Sequence, residues 1–366
     1  MCLTDSIPEL SWWETFDAGR RPVLLYGTGN GADKILDACA DYGIRIDGVF
    51  ASDGFVRDRE FRGMHVMSYA AAVERFGEDI IILPAFGTAM PQVMERIFEL
   101  DRRHTVIIPE VPLYGGEVFD SSALSHLAPR LNLLWTMLSD DQSRVLLRDA
   151  VMFRMTGSPE YLKRCEPVRD TYSDLLGKLG ILTAFDGGAF RGDSAANMIE
   201  SIPGISHIIA CEPDHRSYIK LTEFSASIDR CAVEVHKCAL GCECCEDEYS
   251  ASGSRGSGIR GGGRRALREK IQVLTIDAIV SDRQVDFIKL DVEGDEADAL
   301  KGAQDVIIRD RPALALSVYH RTEDIVELPE AVESLMPGCS MYLRRPPCIP
   351  MWDLTLYAIP HSKISQ

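Results

Sequence analysis

Along the chain, short uninterrupted apolar runs alternate with stretches whose apolar residues recur every three or four positions. Pro22-Val23-Leu24-Leu25-Tyr26 is the first such run. It leads into Gly27-Thr28-Gly29-Asn30-Gly31-Ala32 and then a helical pattern from Lys34 to Cys39 that Tyr42-Gly43 closes. Ile46 to Phe50 reads as the next strand, and Glu78 to Pro84 and Thr105 to Pro109 as two more. Such runs, bounded by glycine or proline and separated by helices, predict a small parallel sheet.

Between Ser121 and Lys178 the pattern is helical. Leu124, Leu127, Leu131, Leu134 and Leu138 fall on one helix face, and Ser139-Asp140-Asp141-Gln142 resembles an N-cap that opens a second helix through Met155. Gly157-Ser158-Pro159-Glu160 breaks that helix and starts another. The leucine and methionine stripe is core packing, and the segment is expected to connect two domains.

Strand-like runs return at Gly180 to Phe185, His207 to Cys211, Ala232 to Leu240, Val285 to Leu290, Ala313 to His320, Met341 to Arg345 and Thr355 to Ile359. With 366 residues the chain exceeds the size at which a single core stops growing, about 250–300 residues. The expected division is therefore 1–120, a Rossmann-like α/β domain; 121–178, a helical connector; and 179–366, a second α/β domain.

Composition narrows the classes. Net charge is -17, which argues against nucleic acid or an anionic membrane as a general partner. No apolar run approaches the length of a membrane span, and Met1-Cys2-Leu3-Thr4-Asp5 lacks the features of a signal peptide. A cytoplasmic protein with mostly reduced cysteines is the expectation. Oligomeric state is not legible.

Two glycine loops carry the candidate chemistry. Gly27 to Ala32 fits G-x-G-x-x-G/A, with Asp53 near the offset of a ribose-binding acid. Two readings stay open for it: a nucleotide or nucleotide-sugar site, or a Rossmann-like unit used for packing, dimerisation or positioning. The second loop runs from Asp186 through Gly187, Gly188 and Ala189 to Gly192, ahead of a helix capped by Asp193 or Ser194. Bare glycine backbone there allows a tight strand-to-helix turn and close approach of a ligand. Glu212 follows the next strand, where a carboxylate can accept both hydroxyls of a ribose. Asp291 and Glu293 end a further strand, two residues apart and so expected on one face, and His320 ends another.

Cys242, Cys244 and Cys245, with Cys231 and Cys238 upstream, lack the spacing of a zinc site and read as a reduced, partly buried cluster; no metal site is expected. The segment from Ser250 to Lys270, rich in glycine and in Arg255, Arg260, Arg264, Arg265 and Arg268, is either a solvated loop or a flap attracting an anionic acceptor.

Phe185-Asp186-Gly187-Gly188-Ala189, Cys211-Glu212-Pro213, Leu274-Thr275-Ile276-Asp277 and Ile288-Lys289-Leu290-Asp291-Val292-Glu293-Gly294 together resemble the FkbM-type S-adenosylmethionine-dependent methyltransferases. The tail, with Tyr319-His320-Arg321, Tyr342-Leu343-Arg344 and Leu356-Tyr357-Ala358, is similar to the end of the same family. The resemblance covers Leu179 to Pro360. It implies a class I methyltransferase fold, S-adenosylmethionine as cofactor, and O-methylation of a sugar, glycan or secondary-metabolite hydroxyl. Asp186, Gly187 and Gly188 would then hold the methionine moiety and Glu212 the ribose, while Asp291 would border the reaction centre. Arg344-Arg345 stands where the family commonly has Arg-His, so no role passes to Arg345. An alcohol needs a general base at neutral pH. His320 and Asp291 come first as candidates and Glu293 next; a strand-end structural role for His320, and a cation held by Asp291 and Glu293, are the alternatives.

Overall fold

The structure, a computed structural model, describes residues 3–364 except 53, 55, 57–59, 113–116 and 252–266. Its first sheet has six strands: β1 (Val23–Tyr26), β2 (Gly48–Ala51), β3 (Glu60–Phe61), β4 (Met64–Ser68), β5 (Ile81–Pro84) and β6 (Thr105–Val106). Their spatial order is β3-β4-β2-β1-β5-β6, parallel except for the short edge strand β3. β1, β2 and β5 are buried at every position, as expected where helices cover both faces of a parallel sheet. The run predicted to end at Pro109 pairs only over Thr105–Val106.

Helices Ser121–Met137 and Asp141–Thr156 follow, each started by an aspartate. Asp120 accepts from the backbone N–H of Ala123 at 2.9 Å and Asp140 from that of Ser143 at 2.8 Å. Leu124, Leu127, Leu131, Leu134 and Leu138 are all buried.

A second sheet of seven strands comprises β7 (Thr183–Gly187), β8 (His207–Cys211), β9 (Ala232–His236), β13 (Phe287–Leu290), β14 (Ala313–Ser317), β15 (Cys339–Arg344) and β16 (Thr355–Pro360). Between β9 and β13 lie β10 (Ala239–Leu240), β11 (Cys245–Ala251) and β12 (Leu267–Leu274), which form a separate three-stranded sheet. The large sheet is ordered β15-β16-β14-β13-β7-β8-β9, with β16 antiparallel to both its neighbours. Strand order reverses between β7 and β13, which makes the carboxyl ends of those two strands the switch point where open α/β sheets bind ligands.

The helices between the sheets do more than connect them. Helix Asp141–Thr156 lies along β15, the edge of the large sheet, and side chains pair that edge: Met341 N donates to Ser139 Oγ at 3.0 Å and Leu343 N to Ser143 Oγ at 2.9 Å. An otherwise free row of backbone groups is thereby covered.

The segment from Ser250 to Lys270 is not simply a loop at its ends, because β11 and β12 pair antiparallel from Cys245↔Val273 to Ala251↔Leu267. Periodicity missed them since three consecutive acids, Glu246 to Glu248, interrupt β11. Arg255, Arg260, Arg264 and Arg265 lie outside the described residues, as does Asp53. Cys242, Cys244 and Cys245 are exposed and Cys231 and Cys238 buried, all as free thiols.

Candidate active site

β7 carries Asp186 and Gly187 to the switch point, where the chain turns sharply. Gly188 has φ +73°, and a Cβ placed there would stand 1.9 Å from the carbonyl oxygen of Asp291. Only glycine lets the loop lie against the backbone at the end of β13. The N–H groups of Gly188 and Ala189 both donate to the carbonyl of Cys211, at 3.1 and 3.0 Å, tying the loop to the end of β8. Gly192, at φ +97°, then opens helix Asp193–Ser201.

A cavity of about 360 Å³ runs along this edge, within the range of small-molecule sites. Gly188, Ala189, Glu212, Lys289, Asp291 and Glu293 line it. Asp186, Gly187, Gly192 and His320 do not reach its wall; they support residues that do.

Asp186 is fully buried, with Oδ1 3.2 Å from Lys289 Nζ and Oδ2 accepting from Ser194 Oγ. Lys289 Nζ also donates to the carbonyl of Gly188 at 2.9 Å. Burial alone would lower the lysine's pKa, but Asp186 and Asp291 outweigh it, and the net direction is upward. The group presented to the cavity is thus a fixed ammonium braced from beneath by Asp186. Sequence reasoning gave Lys289 no role, although a charged residue inside the buried run Phe-Ile-Lys-Leu was the available signal.

Glu212 is 6% exposed. Its Oε2 accepts from Phe190 N at 2.9 Å and its Oε1 from Asp214 N at 2.8 Å. Burial pushes its carboxyl up to about 7, partly offset by those two hydrogen bonds. A ligand hydroxyl donating to this carboxylate would favour its ionised form.

Asp291 and Glu293 come together, though not by strand alternation. β13 ends at Leu290, and the next residues form a turn in which Glu293 and Gly294 take φ +60° and +96°. The turn is held by Glu296, whose carboxylate accepts from Val292 N at 2.8 Å and Gly294 N at 3.1 Å. His320 lies beneath, fully buried, with Nδ1 2.9 Å from Glu296 Oε1 and Nε2 3.6 Å from both Asp291 Oδ1 and Glu293 Oε2. Burial would lower the pKa of His320; Glu296, then Asp291 and Glu293, reverse that and push it up to about 10. A histidine so placed holds its proton at neutral pH, and the two carboxylates face the cavity in its stead. Glu296 and Tyr319, whose hydroxyl donates to Asp291 Oδ1 at 3.4 Å, went unassigned from sequence.

Residues 186–341 match the family model described as "Methyltransferase FkbM domain". This part of the chain is an FkbM methyltransferase domain. The match begins at Asp186 in the glycine loop and ends at Met341 in β15. The fold is shared by the methyltransferase FkbM from Methylobacillus flagellatus KT, which aligns at 22% identity over 93% of this chain and 92% of its own, with a TM-score of 0.68. Also similar are a SAM-dependent methyltransferase from Aquifex aeolicus (16% identity, 60% of this chain and 98% of that one, TM-score 0.31) and Aeropyrum pernix fibrillarin with natively bound S-adenosyl-L-methionine (15%, 54% and 76%, 0.30). No curated protein matches the chain. The FkbM domain leaves out the first sheet, yet the alignment to the Methylobacillus structure extends across it.

Proposed function

We propose that this methyltransferase uses S-adenosylmethionine and transfers its methyl group to a hydroxyl of a sugar, glycan or secondary metabolite. One observation carries the reading: at the switch point of a class I sheet, the loop at Gly188, the buried acid Glu212 and the pair Asp291 and Glu293 share a single cavity. The residues fit the cofactor. Gly188 lets the loop backbone lie against the Asp291 carbonyl at the edge of the cavity, and Glu212 offers acceptors for two ribose hydroxyls. The fixed ammonium of Lys289, at the loop, suits a carboxylate such as that of the methionine moiety.

When bound, S-adenosylmethionine supplies a methyl on a sulfonium centre and leaves as the neutral thioether. The protein's share is alignment, exclusion of water and removal of one proton. Holding the hydroxyl in line is worth up to about 7–11 kcal/mol in the best intramolecular cases. As the oxygen gains the methyl it loses its hydrogen, and Asp291 or Glu293 is placed to receive that proton. His320, already protonated, steadies the two carboxylates from below.

We keep the division into 1–120, 121–178 and 179–366, and assign the first domain a bracing role. Phe86, at the end of β5, lies over Gly27, where an added Cβ would meet its ring at 2.6 Å. The next residues dock on the second domain: Thr88 and Ile349 exchange backbone hydrogen bonds at 2.8 and 2.9 Å, and a Cβ on Gly87 would strike Trp352 at 1.9 Å. Asp353, beside Trp352, lines the cavity. Among the described residues no helix is long and apolar enough to cross a membrane, and we place the protein in the cytoplasm on its free thiols.

Methyl-labelled S-adenosylmethionine incubated with polarity-fractionated extracts tests the reading. A low-molecular-weight product that gains one methyl and loses it on ether cleavage is the expected result. Label found only on nucleic acid or on nitrogen would overturn it.

A further inference from the structure

Neighbouring strands of the large sheet run in the order β8, β7, β13, β14, β16. Glu212 follows β8, the turn at Gly188 follows β7 and Asp291 follows β13. The cavity continues past Asp291, over β14 and β16 and against helix Val168–Leu175. Strand register fixes the floor of this far end. Asp186, Lys289, Ala315 and Tyr357 pair in one row across β7, β13, β14 and β16, so their side chains share a face. Ser317 lies two residues beyond Ala315 and hence on that face too. It is also one residue past the partner of Leu290, alongside the start of the turn that carries Asp291. With strands about 4.8 Å apart, the backbone of Tyr357 stands about 10 Å from that of Lys289.

Three hydroxyls at this end are left over. Tyr172, Ser317 and Tyr357 are 3%, 5% and 4% exposed, and all three line the cavity. Among the described residues nothing hydrogen-bonds to their hydroxyls, and these oxygens are not sealed in the core, so they open onto the cavity. A buried tyrosine hydroxyl ordinarily has a partner. The rings themselves are fixed: Tyr172 packs edge-on against Phe287 at 5.9 Å and against Tyr357 at 6.3 Å. Charge here is matched within the protein. Arg344 is held by Asp140 at 2.6 Å and Glu166 at 3.2 Å, and the opposite charges of Arg345 and Asp353 interact. What this end offers a ligand is hydroxyl and aromatic surface.

We propose that this end of the cavity is the acceptor subsite, where Tyr172, Ser317 and Tyr357 bind an uncharged, polyhydroxylated ring of the neutral-sugar class and set which of its hydroxyls meets Asp291. The layout along the sheet suits transfer, because Asp291 stands between the Glu212 and Gly188 side of the cavity and these hydroxyls. Unpaired donors and acceptors in a buried wall also give selectivity, since a ring lacking the matching hydroxyl leaves them unpaired. The assignment to an acceptor rests on the methyltransferase reading; the subsite itself rests on the three hydroxyls.

The test is saturation-transfer NMR of neutral methyl hexosides with the full-length protein, with and without S-adenosylhomocysteine, set against the matching uronates and amino sugars. Transfer to at least one neutral hexoside is expected, with its affinity weakened about 3–10-fold by Tyr172→Phe and by Tyr357→Phe. Both variants keep the ring and lose no hydrogen bond within the protein, so their melting temperature should not fall. Their affinity for S-adenosylhomocysteine, measured by calorimetry, should stay within about twofold of the native chain. No transfer to any neutral hexoside, preference for the charged sugars, or hexoside binding indifferent to both substitutions would each overturn the proposal. So would a large loss of S-adenosylhomocysteine affinity in the variants, which would give these hydroxyls to the cofactor. Hexoside binding that is sensitive to the variants, in a native chain that binds no S-adenosylhomocysteine, would leave the sugar subsite standing and remove the methyltransferase reading.

Discussion

The chain contains two glycine loops after two buried parallel strands, and the structure treats them differently. At Gly27 the ring of Phe86 covers the bare backbone, and the residues that follow Phe86 meet the other domain. At Gly188 an added Cβ would meet the backbone carbonyl of Asp291 at 1.9 Å, and Gly188, Ala189 and Phe190 line a 360 Å³ cavity. A glycine fingerprint thus reports that backbone must come close to something. Whether that something is a ligand or another side chain depends on what the neighbouring strands present at their ends.

The comparison can be broken most forcefully at Gly188. Gly188→Val places a side chain in a left-handed conformation and against the Asp291 carbonyl, and S-adenosylhomocysteine binding should fall by more than about 100-fold in calorimetry. Retained affinity would mean that the loop is not the cofactor's. Next in size is a pH effect. Because burial raises the Glu212 carboxyl to about 7, its neutral form is favoured in the unliganded protein. The stability this group contributes is present at acid pH and lost as pH rises from the unfolded value of about 4.3 toward 7. Ligand hydroxyls require the ionised form, so affinity should drop about tenfold per pH unit below 7 and level off above it. Glu212→Gln should flatten that slope, and a slope unchanged in the variant would detach it from Glu212.

Gly87→Val tests the brace. It drives a side chain into Trp352 and should cost about 1–3 kcal/mol in denaturant melts. The KM for acceptor should rise while S-adenosylhomocysteine affinity stays within about twofold, since Trp352 neighbours Asp353 and not the glycine loop. The smallest effect is expected at the covered loop. Gly27→Ala, at φ +108°, should lower stability by about 1 kcal/mol and leave cofactor binding unchanged. A large loss of binding there would erase the distinction between the loops.

Much of this was legible in the residues. Strands that are buried on both faces, such as Val23–Tyr26 and His207–Cys211, announce themselves as apolar runs, and the Lys289-to-Gly294 motif pointed to the family. β11 was hidden because its acids break any alternation, and its partner β12 follows only after the glycine- and arginine-rich stretch 252–266. Strand periodicity was extended past Leu290, where a left-handed Glu293 ends it. The role of Glu296 was not readable, because it depends on a turn closing onto its carboxylate and on His320 arriving from the segment after β14. Nor could local pattern show that β5 ends in a contact with Ile349, more than 250 residues away.

Calorimetry of S-adenosylhomocysteine with the full chain and with Glu212→Ala tests the central claim most directly. One molecule should bind per chain at pH 8, and the variant, without its charge-assisted hydrogen bonds, should bind at least about tenfold more weakly. No binding to the native chain, or equal binding to both, would contradict the assignment of the second loop as the cofactor site.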